Sequence, residues 1–199
     1  MSQVVQRLQP GDALIVVDVQ NDFCPGGALA VPDGDRVVPV LNSWIDQFHD
    51  RGLPVIYTQD WHPVDHCSFT AQGGPWPVHC VQDTPGAAFH PDLRVRGEVF
   101  RKAFRTDPDA YSGMEACRVA DGRLQAEQTL PRWLREQGVR RVLVGGLATD
   151  YCVRATVLDA LREGFQAVVL RDGVRAVDVE PGDGERALDE MARAGAVIL

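Results

Sequence analysis

Residues 139–164 read VRRVLVGGLATDYCVRATVLDALREG, and this stretch predicts a buried strand followed directly by an amphipathic helix. The apolar run up to Gly146 is typical of a strand that is covered on both faces of a sheet. Beyond it, apolar residues recur at the spacing of one helix face, at Val153, Val157, Leu158 and Leu161. Thr149 or Asp150 can cap this helix, because either side-chain oxygen can accept a hydrogen bond from the first turn.

Cys152 lies in the first turn of the predicted helix. Free backbone N–H groups and the helix dipole favour a thiolate at this place, and the thiolate is the nucleophilic form of cysteine. The same N–H groups can stabilise the oxyanion that forms when the sulfur attacks a carbonyl. Most free cysteines are small buried apolar residues. This stretch alone therefore leaves a catalytic and a structural interpretation open.

The remaining chain alternates strands with helices, which predicts an α/β fold of three layers, α-β-α, around a mostly parallel sheet. We expect one domain, residues 1–199, since this length suits a single domain with a sizeable core. Six strands are predicted: ALIVVD (13–18), PVIYTQ (54–59), EVFRKAF (98–104), VRRVLVGG (139–146), QAVVLRD (166–172) and AVIL (196–199). The histidine-rich segment 61–93 is too rich in proline to be mostly helix or sheet.

Composition and charge exclude several classes of partner. The net charge of −8 argues against a nucleic-acid or anionic membrane surface, and no segment approaches the roughly 20 apolar residues of a membrane span. Residues 1–12 lack the apolar core of a secretory signal, so we expect a cytoplasmic protein. The five cysteines are an odd number with irregular spacing, which predicts free thiols rather than a disulfide framework.

Four reactive side chains lie at or just past the ends of four predicted strands: Asp18, Asp60, Lys102 and Cys152. In open parallel sheets the ligand site lies beyond the carboxyl ends of the strands, so we expect these groups at one edge. An Asp beside the sulfur can accept its proton and later deliver that proton to a leaving amine. Lys102 is the only lysine among 20 basic residues, and its ammonium can stabilise both thiolate and carboxylate. Together these groups predict acyl transfer.

Asp60 and His62 lie two residues apart, and His66 and His79 follow in the same irregular segment. Oxygen and nitrogen ligands of this kind suit a divalent zinc, iron or manganese ion. The alternative is a set of loop histidines that are solvated or hydrogen-bonded. The sequence pattern favours a metal site.

In six motifs, taken in order, the chain resembles the nicotinamidases, a family of Rossmann-type, isochorismatase-like cysteine hydrolases. The match covers almost the whole chain, roughly from Ala13 to Leu199. The motifs are VDVQNDFCPGGALAV (17–31), TQDWHPVDHCSF (58–69), WPVHCVQDTPGA (76–87), FRKAF (100–104), AYSG (110–113) and GGLATDYCVRAT (145–156).

The resemblance implies a role for each residue of a catalytic site. Cys152 would be the nucleophile, Asp18 the general base and acid, and Lys102 the third member of the triad. The backbone N–H groups of Ala148 and Cys152 would form the oxyanion hole, and family members typically have a cis peptide at the position of Leu147–Ala148. Four residues would enclose the substrate ring: Phe23, Leu29, Trp76 and Tyr111.

The metal ligands that the resemblance implies are Asp60, His62 and His79. His66 is a ligand in only some members, so it is not counted among the three. Zinc is the expected ion, with iron and manganese as alternatives.

The implied reaction is hydrolysis of nicotinamide to nicotinate and ammonia through a cysteine thioester, for NAD salvage, with pyrazinamide as a second substrate. The metal would orient the pyridine ring. The only expected partner is the small-molecule substrate, and a homo-oligomer is left open. One alternative is an N-carbamoyl amine hydrolase, which would keep the triad but not need the metal; another is a non-catalytic metal-binding scaffold. A true isochorismatase fits less well, because such enzymes lack the thiol of Cys152.

Overall fold

Eight strands form a single sheet in the computed structural model, which describes residues 7–199. Residues 1–6 lie outside the described residues. They belong to the expected domain and to the segment considered above as a secretory signal. The strands are β1 (Asp12–Val17), β2 (Val55–Asp60), β3 (Glu98–Lys102), β4 (Cys117–Ala120), β5 (Arg123–Thr129), β6 (Arg141–Leu147), β7 (Gln166–Arg175) and β8 (Val197–Ile198).

The strand order across the sheet is β5-β4-β3-β2-β1-β6-β7-β8, and every pair from β3 to β8 is parallel. The mostly parallel sheet is therefore confirmed. The count of six strands was wrong, because the antiparallel hairpin β4–β5 extends the sheet beyond β3. Asp121 and Gly122 join the two strands with φ angles of 50° and 70°, which is the conformation that Asp-Gly favours in tight hairpins.

Helices cover both faces of the sheet, which confirms the three layers. α1 (Val37–His49) packs on one face, and α2 (Leu130–Glu136), α3 (Arg154–Arg162) and α4 (Asp183–Arg193) pack on the other. All residues of β1, β2 and β6 are buried, as expected for central strands between two helical layers. Among residues 7–199, no helix has the length and apolar character needed to cross a membrane.

The β6–α3 junction is tighter than the sequence pattern indicates. A Cβ at Gly146 would lie 2.1 Å from the Val17 carbonyl oxygen, so only glycine lets β6 approach β1 this closely. The Leu147–Ala148 peptide is cis, as the resemblance implied, and a π-helical turn (Thr149–Val153) precedes α3.

The predicted cap of this helix was wrong. Neither Thr149 nor Asp150 caps the turn with its side chain. The Asp150 carboxylate instead accepts hydrogen bonds from the backbone N–H groups of Val177 (3.0 Å) and Asp178 (2.9 Å). It therefore connects the junction to the segment between β7 and α4.

A buried ion pair joins the amino ends of β1 and β6. Nε and a terminal nitrogen of Arg141 donate to the two carboxylate oxygens of Asp12 at 2.8 and 2.6 Å, and both side chains are nearly inaccessible. Because Asp12 and Arg141 are partners in the strand register, the pair fixes the alignment of the two central strands.

We expect Arg141→Met to lower the free energy of unfolding by about 3 kcal/mol or more, because it leaves the Asp12 carboxylate buried without its cation. Urea denaturation would measure the change. The matched control is Arg162→Met. It removes the ion pair between Arg162 and Asp159, in which the arginine side chain is 75% exposed. The control should change the free energy by no more than about 0.5 kcal/mol. Equal effects of the two variants would contradict the assigned role of the buried pair.

Candidate active site

The ammonium group of Lys102 lies at the centre of the candidate site, at the carboxyl end of β3, and is fully buried. Its Nζ is 3.0 Å from Asp18 Oδ2 and forms a short ion pair with Asp60 Oδ1. It also donates to the Ala110 carbonyl oxygen at 3.2 Å and to Cys152 Sγ at 3.5 Å. The structure thus brings together the four reactive groups that the sequence placed at one sheet edge.

Asp18 follows β1 in a left-handed conformation, with φ of 47°, which directs the chain out of the sheet. The hydroxyl of Thr58 donates to Asp18 Oδ1 at 2.6 Å. Ligating atoms of Asp18, Asp60 and Cys152 lie within 4.8 Å of one another. The Asp18 carboxylate is therefore held next to the thiol of Cys152.

Burial determines the protonation of the cysteine. It raises the pKa of the Cys152 thiol well above its usual value, although the charge of Lys102 opposes this effect. Burial also raises the pKa of Asp18, again against Lys102. For Lys102 itself, burial favours the neutral form, but the charges of Asp18, Asp60 and Cys152 outweigh it and raise the pKa.

The raised pKa favours the protonated thiol, so an adjacent base would have to take its proton before the sulfur could attack. Burial, the largest cause of the raised pKa of the Cys152 thiol, opposes the thiolate that we expected at the first helical turn. The neighbouring Asp18 carboxylate is placed to act as that base.

Asp60, His62 and His79 form a set with the geometry of a metal site: their ligating atoms lie within 4.8 Å of one another, and all three residues are buried. Nδ1 of His62 is 3.2 Å from the Ala103 carbonyl oxygen, and Nδ1 of His79 is 2.8 Å from that of Pro77. A carbonyl oxygen can only accept, so each Nδ1 carries the proton and each Nε2 keeps a free lone pair. One carboxylate and two imidazoles suit a divalent zinc, iron or manganese ion.

Asp60 belongs to both groups. One of its carboxylate oxygens pairs with Lys102, and the other lies 3.7 Å from His62 Nε2. Burial would raise the pKa of Asp60, but opposing charges, chiefly that of the Lys102 ammonium, outweigh burial and hold this pKa below its usual range. The carboxylate therefore stays charged, as a metal ligand must be.

His66 lies beside this set but is not part of it. Its ring stacks on the ring of His62 with centroids 4.1 Å apart, and its Nδ1 is 2.7 Å from the Ser68 hydroxyl. Its Nε2 is buried and has no hydrogen-bond partner among residues 7–199.

An apolar pocket opens between the triad and the metal set. All four residues that the resemblance places around the substrate ring line this pocket: Phe23, Leu29, Trp76 and Tyr111. Ala148 and Cys152 line it as well. Trp76 Nε1 donates to the Tyr111 hydroxyl at 2.9 Å, and this hydrogen bond joins two loops across the pocket.

Several lining residues were missed at the level of sequence, among them Val31, Tyr151 and Val177. Tyr151 packs against Trp76 and Tyr111, with ring centroids 5.1 and 5.8 Å away. Its position next to Cys152 was a usable signal. No sequence signal marked Val177, because a long-range hydrogen bond between its N–H group and Asp150 holds it at the pocket.

Comparison with known proteins gives consistent matches over nearly the whole chain. Residues 12–199 match the Isochorismatase domain family. The nicotinamidase of Escherichia coli is 44% identical over 95% of this chain and 94% of its own. The crystal structure of a Pyrococcus horikoshii pyrazinamidase in complex with zinc superposes with a TM-score of 0.84 at 49% identity, covering 96% of this chain and 99% of its own. The crystal structure of PnC1 from L. infantum in complex with nicotinate superposes with a TM-score of 0.83 at 38% identity. The superposition covers 96% of this chain and 92% of that chain.

We expect Lys102→Met to slow the alkylation of Cys152 by iodoacetamide at pH 8 by about tenfold or more. The variant removes the cation beside the sulfur, and a rise of one unit in the thiol pKa lowers the thiolate fraction about tenfold. Mass spectrometry of the Cys152 peptide would separate this reaction from that of the other cysteines.

The matched control for this variant is Arg101→Met. Arg101 is the neighbouring strand residue, and it places its charge over the Trp61 ring, 3.4 Å from the centroid. An alkylation rate that falls equally in both variants, or in neither, would contradict the role of Lys102 at the sulfur.

Proposed function

This chain belongs to the isochorismatase family, and we propose that it acts as a nicotinamidase, a cysteine hydrolase that converts nicotinamide to nicotinate and ammonia. The observation that carries the proposal is the sharing of Asp60. Its two oxygens join the ion-paired triad of Asp18, Lys102 and Cys152 to the metal set, beside one apolar pocket.

Asp60, His62 and His79 would hold the metal, and we take zinc as the resident ion, with iron and manganese as alternatives. When bound, the ion supplies a Lewis acid that coordinates the ring nitrogen of the substrate and orients its carboxamide. The buried Nε2 of His66, which has no hydrogen-bond partner among the described residues 7–199, is a further nitrogen available beside this set.

The first half of the reaction makes a thioester. Asp18 takes the proton of the Cys152 thiol, and the thiolate attacks the carboxamide carbon. The backbone N–H groups of Ala148 and Cys152 would stabilise the oxyanion that develops on the carbonyl oxygen. Asp18 then gives its proton to the nitrogen as the C–N bond breaks, and ammonia leaves. Lys102 keeps Asp18 and the sulfur in place and compensates their charges throughout.

Hydrolysis of the thioester completes the cycle. Asp18, charged again, accepts a proton from a water molecule that attacks the thioester carbon, and the C–S bond breaks. The proton returns to the sulfur, and the product leaves as nicotinic acid, which ionises to nicotinate by losing its remaining proton to solvent.

The pocket favours a flat heteroaromatic amide. The aromatic side chains of Phe23, Trp76 and Tyr111 line the pocket, and they suit a pyridine or pyrazine ring. Pyrazinamide keeps a ring nitrogen in the position meta to the carboxamide, so we propose it as a second substrate. Nicotinate is a precursor for NAD, and we propose a salvage role in the cytoplasm, with which the five free cysteines agree.

An N-carbamoyl amine hydrolase would use the same triad but has no use for a metal site. The buried donor set of Asp60, His62 and His79 therefore favours nicotinamidase over this alternative. A non-catalytic scaffold would not need the ion-paired triad with its cysteine.

The purified protein should release ammonia from nicotinamide, lose this activity on chelation, and regain it when zinc, iron or manganese is added. The physical reason is that the metal orients the substrate ring. A coupled ammonia assay measures all three states. Hydrolysis of carbamoyl amines that is indifferent to chelation would support the metal-free amidase instead, and metal binding with no hydrolysis would support the scaffold.

Cys152→Ala should lower turnover by about 10³-fold or more, because no other group in the pocket can form the thioester. The variant should still bind zinc and nicotinamide. Cys117→Ala is the matched control: Cys117 is also buried, but it lies on β4 and contacts the Ala126 carbonyl oxygen. Near-normal turnover by Cys152→Ala would rule out the covalent mechanism.

A further inference from the structure

β1 leaves the sheet before its neighbour β2 ends. The last residues in register between the two strands are Val16 and Tyr57, and the Asp18 N–H group still reaches the Thr58 carbonyl oxygen at 3.3 Å. Beyond this point the left-handed turn at Asp18 carries the chain away. The peptide groups of Asp60, two residues further along β2, therefore have no strand partner on that side.

The side chain of Gln20 takes the place of the missing strand. Its Oε1 accepts from the Asp60 N–H group at 2.9 Å, and its Nε2 donates to the Asp60 carbonyl oxygen at 2.8 Å. The second proton of Nε2 goes to the Ala87 carbonyl oxygen at 2.9 Å. Gln20 is fully buried, and both its donors and its acceptor are used.

Gln20 is also connected to the catalytic acid. Its own backbone N–H group donates to the Asp18 carbonyl oxygen at 2.8 Å. One residue thus supports the backbone of Asp18 on one side and that of Asp60 on the other.

We propose that Gln20 is a positioning residue that fixes the backbone of Asp60 so that its carboxylate serves Lys102 with one oxygen and the metal with the other. The proposal rests on the metal site of the proposed function. Because the Lys102 ion pair and the contact toward His62 share one carboxylate, movement of Asp60 would weaken both. Loss of Gln20 should therefore lower metal affinity and turnover together.

A purely structural role is the competing explanation, and Gln59 provides the matched control. Gln59 is buried, and its Nε2 donates to the same Ala87 carbonyl oxygen, at 3.1 Å. Its Oε1 accepts from Arg101, so the side chain has no hydrogen bond to Asp60. Gln59→Met removes a comparable buried amide without touching the proposed function of Gln20.

The test is the zinc affinity of the folded protein, measured by competition with a chromophoric chelator. We expect Gln20→Met to weaken zinc binding about 10- to 100-fold, the range typical when a group that orients a metal ligand is lost. Gln59→Met should stay within about twofold of the parent. Hydrogen exchange at the Asp60 amide should become faster in Gln20→Met and not in Gln59→Met.

Equal zinc affinities of the two variants, with similar losses of thermal stability, would overturn the proposal. If Gln20→Met does not fold, Gln20→Asn replaces it with the same expectation, because its amide is one methylene too short to reach Asp60. The zinc measurement does not depend on the substrate. A parent protein that binds zinc but leaves nicotinamide intact would refute the proposed function alone, and one that binds no zinc would refute both.

Discussion

The candidate site depends on one buried ammonium group. Asp18 and Asp60 are both buried, and their carboxylates lie close to each other and to the Cys152 sulfur. Two buried carboxylates at such short range could not both stay charged without a cation between them. Lys102 supplies that cation from the end of β3. Burying three charges costs stability that an apolar cluster would not cost. The proposed reaction at the adjacent Cys152 therefore explains the cluster better than a contribution to stability does.

Asp60 connects two groups of buried side chains, one around Lys102 and one around His62. Through Lys102 it belongs to the triad, and through its second oxygen it belongs to the metal set. The backbone around the site also has an unusual conformation. Asp18, Cys80 and Ala103 have positive φ angles although none of them is glycine. Such conformations persist where the surroundings hold them, and each of these residues adjoins or belongs to the triad or the metal set. Part of the unusual backbone conformation therefore lies where side chains of the site converge.

Hydrophobic periodicity was enough to predict the three layers and the parallel sheet, because central strands and helix faces must follow the burial pattern. It also placed Asp18, Asp60, Lys102 and Cys152 at one edge, since parallel strands share a carboxyl end. The β4–β5 hairpin was missed because β5 is a largely exposed edge strand with no apolar alternation, and only Asp-Gly at its turn marked it. The thiol state of Cys152 and the partners of Gln20 and Asp150 depend on burial and long-range contacts, which a local pattern does not contain.

The chemistry of the site also explains why lysine stands at position 102 in a chain whose other basic residues are all arginine. The group at this point must face Asp18, Asp60, the Ala110 carbonyl oxygen and the Cys152 sulfur, which converge on one nitrogen from different directions. A compact ammonium with three donors on a flexible stem can meet such a set. A guanidinium presents its donors in one plane and is larger, so in a fully buried space it could pair with one carboxylate only by displacing the other. A cation that contacts Asp18, Asp60 and the Cys152 sulfur together must therefore be close to a point charge.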